Sequence, residues 1–265
     1  MPEDESVLSR GARAPDLTLS YGAGPSRVME VRFGSGGELR PLVIIIHGGF
    51  WRADIDRAHT RPMADTLAAA GWTVALPEYS RVPQDPEVTL ADLTLVLGES
   101  AGRVATHNGQ VVVLGHSAGG HLALWAAAAR VCPTLIGTLA LSPVADLRLA
   151  YALGLGEGAV SRFLGCDPVS RPDLDPCRMV APVTATTIVH GIDDAIVPLV
   201  VSESYIALQM AAQVAAPMAA HPAVRLIPVA GAGHYALIDP RAPAWPTVIA
   251  QLAAFPTPSS SHRAP

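Results

Sequence analysis

A serine hemmed by glycines stands at a corner of the stretch VVVLGHSAGGHLALW, Val111 to Trp125. Gly115-His116-Ser117-Ala118-Gly119 matches G-x-S-x-G, a strained strand-to-helix turn that holds a serine hydroxyl above the end of a strand. Small flanking residues let strand and helix approach each other. The Ala118 amide then points into the same space as the Ser117 hydroxyl, and the start of the following helix adds a positive dipole end. By itself the pattern is equally a tight turn. With an apolar strand before it and a helix after it, it reads as an attacking serine.

A serine hydroxyl is a poor nucleophile at neutral pH and needs a base to accept its proton. Nine histidines compete for that task. His234, in GAGHY, follows the last strand-like run and keeps the chain order Ser, Asp, His that accompanies this elbow. His116 and His121 flank the elbow, and their side chains are expected to diverge from the hydroxyl. His59, His107, His221 and His262 fall in polar or loop segments and read as solvated, while His190 ends a strand beside the acid loop. The base needs an acid to fix its tautomer, and HGIDDAIVP offers two. On the pattern G-x-x-D-x-x-V-P the match is Asp194, which leaves Asp193 as a loop-capping or solvent-facing neighbour. Attack creates an oxyanion that preorganised donors must meet. HGGFW supplies the backbone N–H groups of Gly48, Gly49 and Phe50, and Ala118 completes the set.

The elements around these residues alternate. LVIIIH (Leu42–His47) is a β-branched run suited to a strand buried on both faces. RPMADTLAAAG (Arg61–Gly71) has helical spacing, WTVALPEY (Trp72–Tyr79) is a strand, and a helix runs over Thr89–Ala105 with Thr89 as its cap. A strand at QVVVLG, a helix over Gly120–Arg130 and a strand over Leu135–Ser142 follow. After an irregular stretch, Thr184–Gly191 (strand), Pro198–Val214 (helix), Val224–Gly231 (strand) and Ala242–Phe255 (helix) complete the rhythm. Such alternation predicts a mostly parallel central sheet with helices on both faces, an α/β domain over residues 27–255. In such a sheet the functional groups gather beyond the carboxyl ends of the strands. HGGFW, GHSAGG, HGIDDAIVP and GAGHY all fall there. The irregular stretch 144–178, about 35 residues, has the length of a lid-like insertion. Residues 1–26 read as an N-terminal arm and 256–265 as a flexible tail.

Composition narrows the class. Half of the 265 residues are hydrophobic and 15% are charged, as in a globular domain. The net charge is −5 and all 18 basic residues are arginines without a basic run, so nucleic acid is not an expected partner. Cys132, Cys166 and Cys177 form no CxxC and no zinc-ligand spacing with histidine, so no metal is expected. The polar, acidic start lacks the apolar core of a signal peptide, and no apolar run approaches membrane-spanning length. These features point to a cytoplasmic protein acting on a small molecule, and a homodimer is compatible with them.

The four motifs in this order resemble the α/β-hydrolase superfamily. His47-Gly48-Gly49-Phe50-Trp51 is similar to the form found in arylformamidases (kynurenine formamidases), whereas hormone-sensitive-lipase-type esterases carry HGGG. LSYGAGPSRVMEVRF as a lead-in strand, GHSAGGHLA at the elbow, and LSPVADLR with DPCRMVAP around the insertion also resemble that family. The likeness spans roughly Leu19 to Phe255. It implies hydrolysis of N-formyl-L-kynurenine to L-kynurenine and formate in tryptophan breakdown, with no cofactor. The alternatives are a carboxylesterase of small acyl or aryl esters, which shares every catalytic residue, and a non-catalytic ligand-binding homologue. LSPVADL departs from the L-S-G-[VI]-Y-D-L form of arylformamidases, with Ala145 where that form has an aromatic. On this reading Phe50, Trp51, Phe163 and Tyr235 would line an aromatic pocket. Arg148 and Arg162 would pair with an amino-acid carboxylate.

Overall fold

The structure, a computed structural model, describes residues 3–215 and 224–256. Eight strands form one sheet: β1 (Leu17–Ser20), β2 (Val28–Arg32), β3 (Leu42–Ile46), β4 (Val74–Pro77), β5 (Val111–His116), β6 (Leu135–Leu141), β7 (Ala185–Gly191) and β8 (Val224–Val229). Their order is β1-β2-β4-β3-β5-β6-β7-β8. The strands from β4 onward in that order run parallel, and β2 is antiparallel to both β1 and β4. The lead-in strand expected over Leu19–Phe33 is thus two strands. Its first strand starts inside the segment read as an arm and forms the sheet edge.

Among the described residues, seven helices accompany the sheet: α1 (Arg61–Ala69), α2 (Pro86–Arg103), α3 (Ala118–Ala129), α4 (Leu147–Ala152), α5 (Leu155–Leu164), α6 (Val200–Ala215) and α7 (Trp245–Ala253). The period-2 alternation of β3 divides its side chains between two cores. Val43 and Ile45 join Met63, Leu67, Trp245 and Val248 of α1 and α7. Ile44 and Ile46 join Leu93, Leu97, Leu122 and Ala126 of α2 and α3. Both faces of the strand are therefore dry, as its continuous apolar run requires. None of the described helices is long and apolar enough to cross a membrane.

Two helix starts differ from expectation. α2 begins at Pro86, whose fixed φ suits the first helical turn. Thr89 consequently lies inside the helix, where its hydroxyl donates to the Ser80 carbonyl at 2.7 Å. α3 begins at Ala118, directly after the serine, because Ser117 itself takes up the turn with φ 57° and ψ −122°.

That corner has almost no free space. A Cβ at Gly119 would overlap the carbonyl oxygens of Ile46 and His47, and one at Gly115 would overlap the Gly119 carbonyl. β3, β5 and α3 meet backbone to backbone there, which only glycine permits. Gly119→Ala should force β3 and α3 apart and destabilise the fold by about 2–3 kcal/mol. A thermal midpoint lower by roughly 5–10 °C in calorimetry is the expected result; an unchanged midpoint would contradict the close packing.

Candidate active site

Asp194 sits in the loop after β7 and His234 in the loop after β8. The two strands are paired up to Gly191 and Val229, so the loops emerge side by side. Asp194 Oδ1 accepts the N–H groups of Ile196 (2.9 Å) and Val197 (2.8 Å), which fixes the carboxylate plane. Its other oxygen, Oδ2, accepts from His234 Nδ1 at 2.7 Å. Burial would raise the Asp194 carboxyl, but the His234 bond and the Val197 amide hold it below its ordinary value. With Nδ1 engaged, His234 presents Nε2 as its remaining ring nitrogen. Asp193 is exposed, as its reading as a solvent-facing neighbour requires.

Ser117 and His234 line one pocket of about 260 Å³ together with Leu8, Gly49, Phe50, Ile55, Ala58, His59, His116, Ile196 and Tyr235. Asp54 and Asp56, both exposed, stand at its mouth. Ala118 is the first residue of α3, so helix geometry gives its N–H no intrahelical acceptor. Gly49 (φ 109°), Phe50 (φ 49°) and Trp51 (φ 54°) are successive left-handed residues, closed by the Arg52 N–H donating to the Gly49 carbonyl at 3.0 Å. Two of these three carry side chains, so the turn is strained by about 1–2 kcal/mol at each.

Residues 34–139 match the BD-FAE family model. No curated protein matches the chain. Among solved structures, an esterase of the planctomycete Thermogutta terrifontis is similar at a TM-score of 0.70 and 18% identity, covering 94% of this chain and 95% of that one. Esterase B of Lactobacillus rhamnosis, solved with a tributyrin phosphonate inhibitor, is similar at 0.70 and 19%, covering 91% and 85%. The chain has the α/β-hydrolase fold. That fold places the Ser117 corner, the Asp194 loop and the His234 loop beyond the carboxyl ends of the parallel strands.

Within this fold the strained HGGFW turn is braced from two sides. Trp51 stacks on Phe163 of α5 (4.7 Å, 12°) and meets His121 edge-on at 5.2 Å. Behind it, the His47 ring bridges the Gly48 carbonyl (2.8 Å) and Glu78 Oε1 (3.0 Å) and stacks on Tyr79 at 4.5 Å. Glu78 also accepts from Arg57 (3.1 Å) and Arg81. Burial opposes ionisation of Glu78, yet His47 and Arg81 hold its carboxyl far below the usual range.

Several expected substrate contacts are elsewhere. Trp51 and Phe163 are buried in the core and form the brace instead of lining the Ser117 pocket; Phe50 and Tyr235 do line it. Arg162 donates to the carbonyls of Gly156 and Glu157, where α5 kinks, because those left-handed residues leave carbonyls without helical partners. Arg148 is exposed on α4. Residues 144–178 form α4, α5 and a short turn, and α5 supports the HGGFW turn. His116 does not diverge from the site: its Nε2–H donates to the His234 carbonyl at 3.1 Å and the rings lie 4.5 Å apart. The loop after β8 folds back over the end of β5, a long-range contact with no local signature. His59, read as solvated, is half-buried in the pocket wall. His190, as expected, packs beside the acid loop, contacting Ser202 Oγ at 2.7 Å and Val197 O at 2.8 Å. His221, His262 and the tail beyond residue 256 lie outside the described residues.

Asp146, Asp175 and Cys177 bring potential ligand atoms within 4.8 Å of one another. Asp146 is engaged by the Leu149 N–H (2.9 Å) and Ser204 Oγ (2.6 Å), and Asp175 by the Leu147 N–H (3.3 Å). Cys177 Sγ donates to the Ala145 carbonyl at 3.4 Å, and burial keeps it a thiol. The cluster thus caps α4 and ties the insertion to α6.

Burial lowers His121 to about 4 and His59 to about 4, and burial with the neighbouring His234 holds His116 well below its ordinary value. The unfolded chain therefore takes up these protons near pH 6.5 and the folded chain only at lower pH, near 4 for His121 and His59. The contribution of these histidines should be full above about pH 6.5 and be lost as the pH drops toward 4, by on the order of 3 kcal/mol for His121 alone, outweighing buried Asp175, whose carboxyl, raised to about 6, acts in the opposite sense. Urea unfolding at pH 7.5, 6, 5 and 4.5 measures this, and a flat profile would refute it.

Proposed function

We propose that this protein is a serine carboxylesterase acting on small, uncharged acyl esters. The observation that carries the reading is the 2.7 Å bond from His234 Nδ1 to Asp194, in a pocket that His234 shares with Ser117 on its strained corner. His234 Nε2 takes the Ser117 proton as Oγ attacks the ester carbonyl. The N–H groups of Gly49, Phe50 and Ala118, with Gly48 at the start of the turn, receive the negative charge on the carbonyl oxygen. The imidazolium then protonates the leaving alcohol, while Asp194 stabilises its charge. A water deprotonated by the same histidine attacks the acyl-enzyme, and the acid leaves. None of these steps calls for a metal or organic cofactor. The esterase names of the similar structures and the family match support the same class.

The pocket favours short acyl groups, since its walls are Leu8, Phe50, Ile55, Ala58, Ile196 and Tyr235 and its volume is small. Formamide cleavage would use the same machinery, and HGGFW is the feature that speaks for N-formyl-L-kynurenine. Its amino-acid carboxylate, however, would face Asp54 and Asp56 at the mouth and neither Arg148 nor Arg162. Asp54 is paired with Arg52 (2.7 Å), but Asp56 is not so paired, and a like charge there opposes binding, so neutral esters fit better. A ligand-binding homologue without catalysis is separated from both by labelling with a fluorophosphonate, which requires an activated serine.

Ser117→Ala should lower kcat/KM on p-nitrophenyl acetate by at least about 10⁴-fold and abolish fluorophosphonate labelling, with the thermal midpoint unchanged. A variant that keeps wild-type turnover would remove the mechanism. In steady-state assays, p-nitrophenyl acetate and butyrate should exceed N-formyl-L-kynurenine in kcat/KM by more than about tenfold, roughly the 1.4 kcal/mol expected of one unfavourable charge contact. The reverse ranking would establish the formamidase instead.

A further inference from the structure

We infer that the N-terminal segment Glu3–Arg10 is a working part of the active site, in which Glu3 is a positioning residue that clamps the acid loop to the base loop. The inference rests on the esterase reading for its kinetic consequence. One carboxylate reaches both loops: Glu3 Oε1 accepts the Ala195 N–H at 3.1 Å, and Oε2 accepts the His234 N–H at 2.8 Å. Ala195 follows Asp194 directly, and the second donor belongs to the base itself. The Asp194–His234 pair is therefore joined twice, once through its side chains and once through backbone amides bridged by Glu3. A carboxylate suits this place because it offers two acceptor oxygens and no donor; an amide would turn an NH2 against one of the N–H groups.

The segment is docked well enough to carry this role. Asp4 Oδ1 accepts the Ser6 N–H at 2.9 Å and starts a short turn over Ser6–Ser9. Val7 of that turn is fully buried in the core that contains Val43, Trp245 and Leu237. Arg10 forks onto both oxygens of Asp239, beyond the base loop, with Nη2 to Oδ2 at 2.9 Å. Leu8 projects from the same turn into the wall of the Ser117 pocket. An independent feature of the base loop fits the clamp. A Cβ on Gly233 would collide with the Glu3 carboxylate, so the residue before the base leaves open the space that the carboxylate occupies.

Without the clamp, two amides lose their acceptor, and the loops are joined by the His234–Asp194 bond and by the bond from the Asp193 N–H to the Ala232 carbonyl (3.1 Å), which precedes both residues of the pair. A base displaced by a fraction of an ångström slows proton transfer without changing how substrate is bound. The test compares the full chain with Glu3→Ala, Glu3→Gln, Gly233→Ala and the Glu3→Ala/Gly233→Ala double variant. On p-nitrophenyl acetate, Glu3→Ala should lower kcat by roughly tenfold with KM and the thermal midpoint about unchanged. Glu3→Gln should lie between it and wild type. Gly233→Ala, which evicts the carboxylate, should match Glu3→Ala. The double variant should be no worse than either single change, because both remove the same contact. Wild-type kcat in Glu3→Ala, additive losses in the double variant, or losses that merely track unfolding would overturn the clamp. A wild-type chain that hydrolyses no ester fails the esterase reading instead. The clamp is then judged by the downfield NMR signal of the His234 Nδ1–H bonded to Asp194. Glu3→Ala must broaden that signal, and an unaltered signal overturns the clamp.

Discussion

The hydrogen bond from His234 Nδ1 to Asp194 Oδ2, 2.7 Å long, joins loops 40 residues apart, and much of the molecule is arranged so that it can form. The parallel pairing of β7 with β8 ends both strands at one level. The amides of Ile196 and Val197 hold one carboxylate oxygen, which turns the other toward the imidazole. A buried carboxylate is costly unless it is hydrogen-bonded on every side. The loop geometry that meets this cost at Asp194 is the same geometry that orients the proposed base.

A second constraint lies in the backbone. Ser117, Phe50 and Trp51 all hold left-handed conformations, which persist only where the surroundings over-determine them. Ser117 is held between β5, β3 and α3, which meet without side chains between them. Phe50 and Trp51 are held by the stacking of Trp51 on Phe163 and by the His47–Glu78 network behind the turn. The insertion thereby contributes to the site at one remove. α5 supplies rigidity to the proposed oxyanion loop, which is a packing role for a segment whose length suggested a lid.

The parts of the site that sit beside a sharp local signal were legible in the chain. Ser117, Asp194 and His234 each lie at the end of an apolar, β-branched run, and the period of such runs marks strand ends closely. The contacts of Arg148, Arg162, Trp51 and Phe163 were not legible in the same way. Whether an arginine on a short helix faces a pocket or a neighbouring carbonyl depends on how the helix is kinked and docked. Here three consecutive left-handed residues, Gly156 to Gly158, turn Arg162 back onto its own backbone. His116 and His59 were misplaced for a related reason: the loop that approaches each comes from far away in the chain.

The sequence by itself determined the strand–helix alternation, and with it the doubly covered sheet and the strand ends beyond which the three motifs meet. Local chemistry is enough for that, because β-branched runs, glycine corners and helix starts act over a few residues. Only the tertiary structure decided what surrounds the motifs. It put Asp54 and Asp56 at the pocket mouth and the aromatic pair behind the HGGFW turn. It also folded the first residues of the chain over the last two loops, where Glu3 meets His234 across 231 positions. Such contacts depend on the summed packing of the whole chain, and no short stretch of residues encodes them.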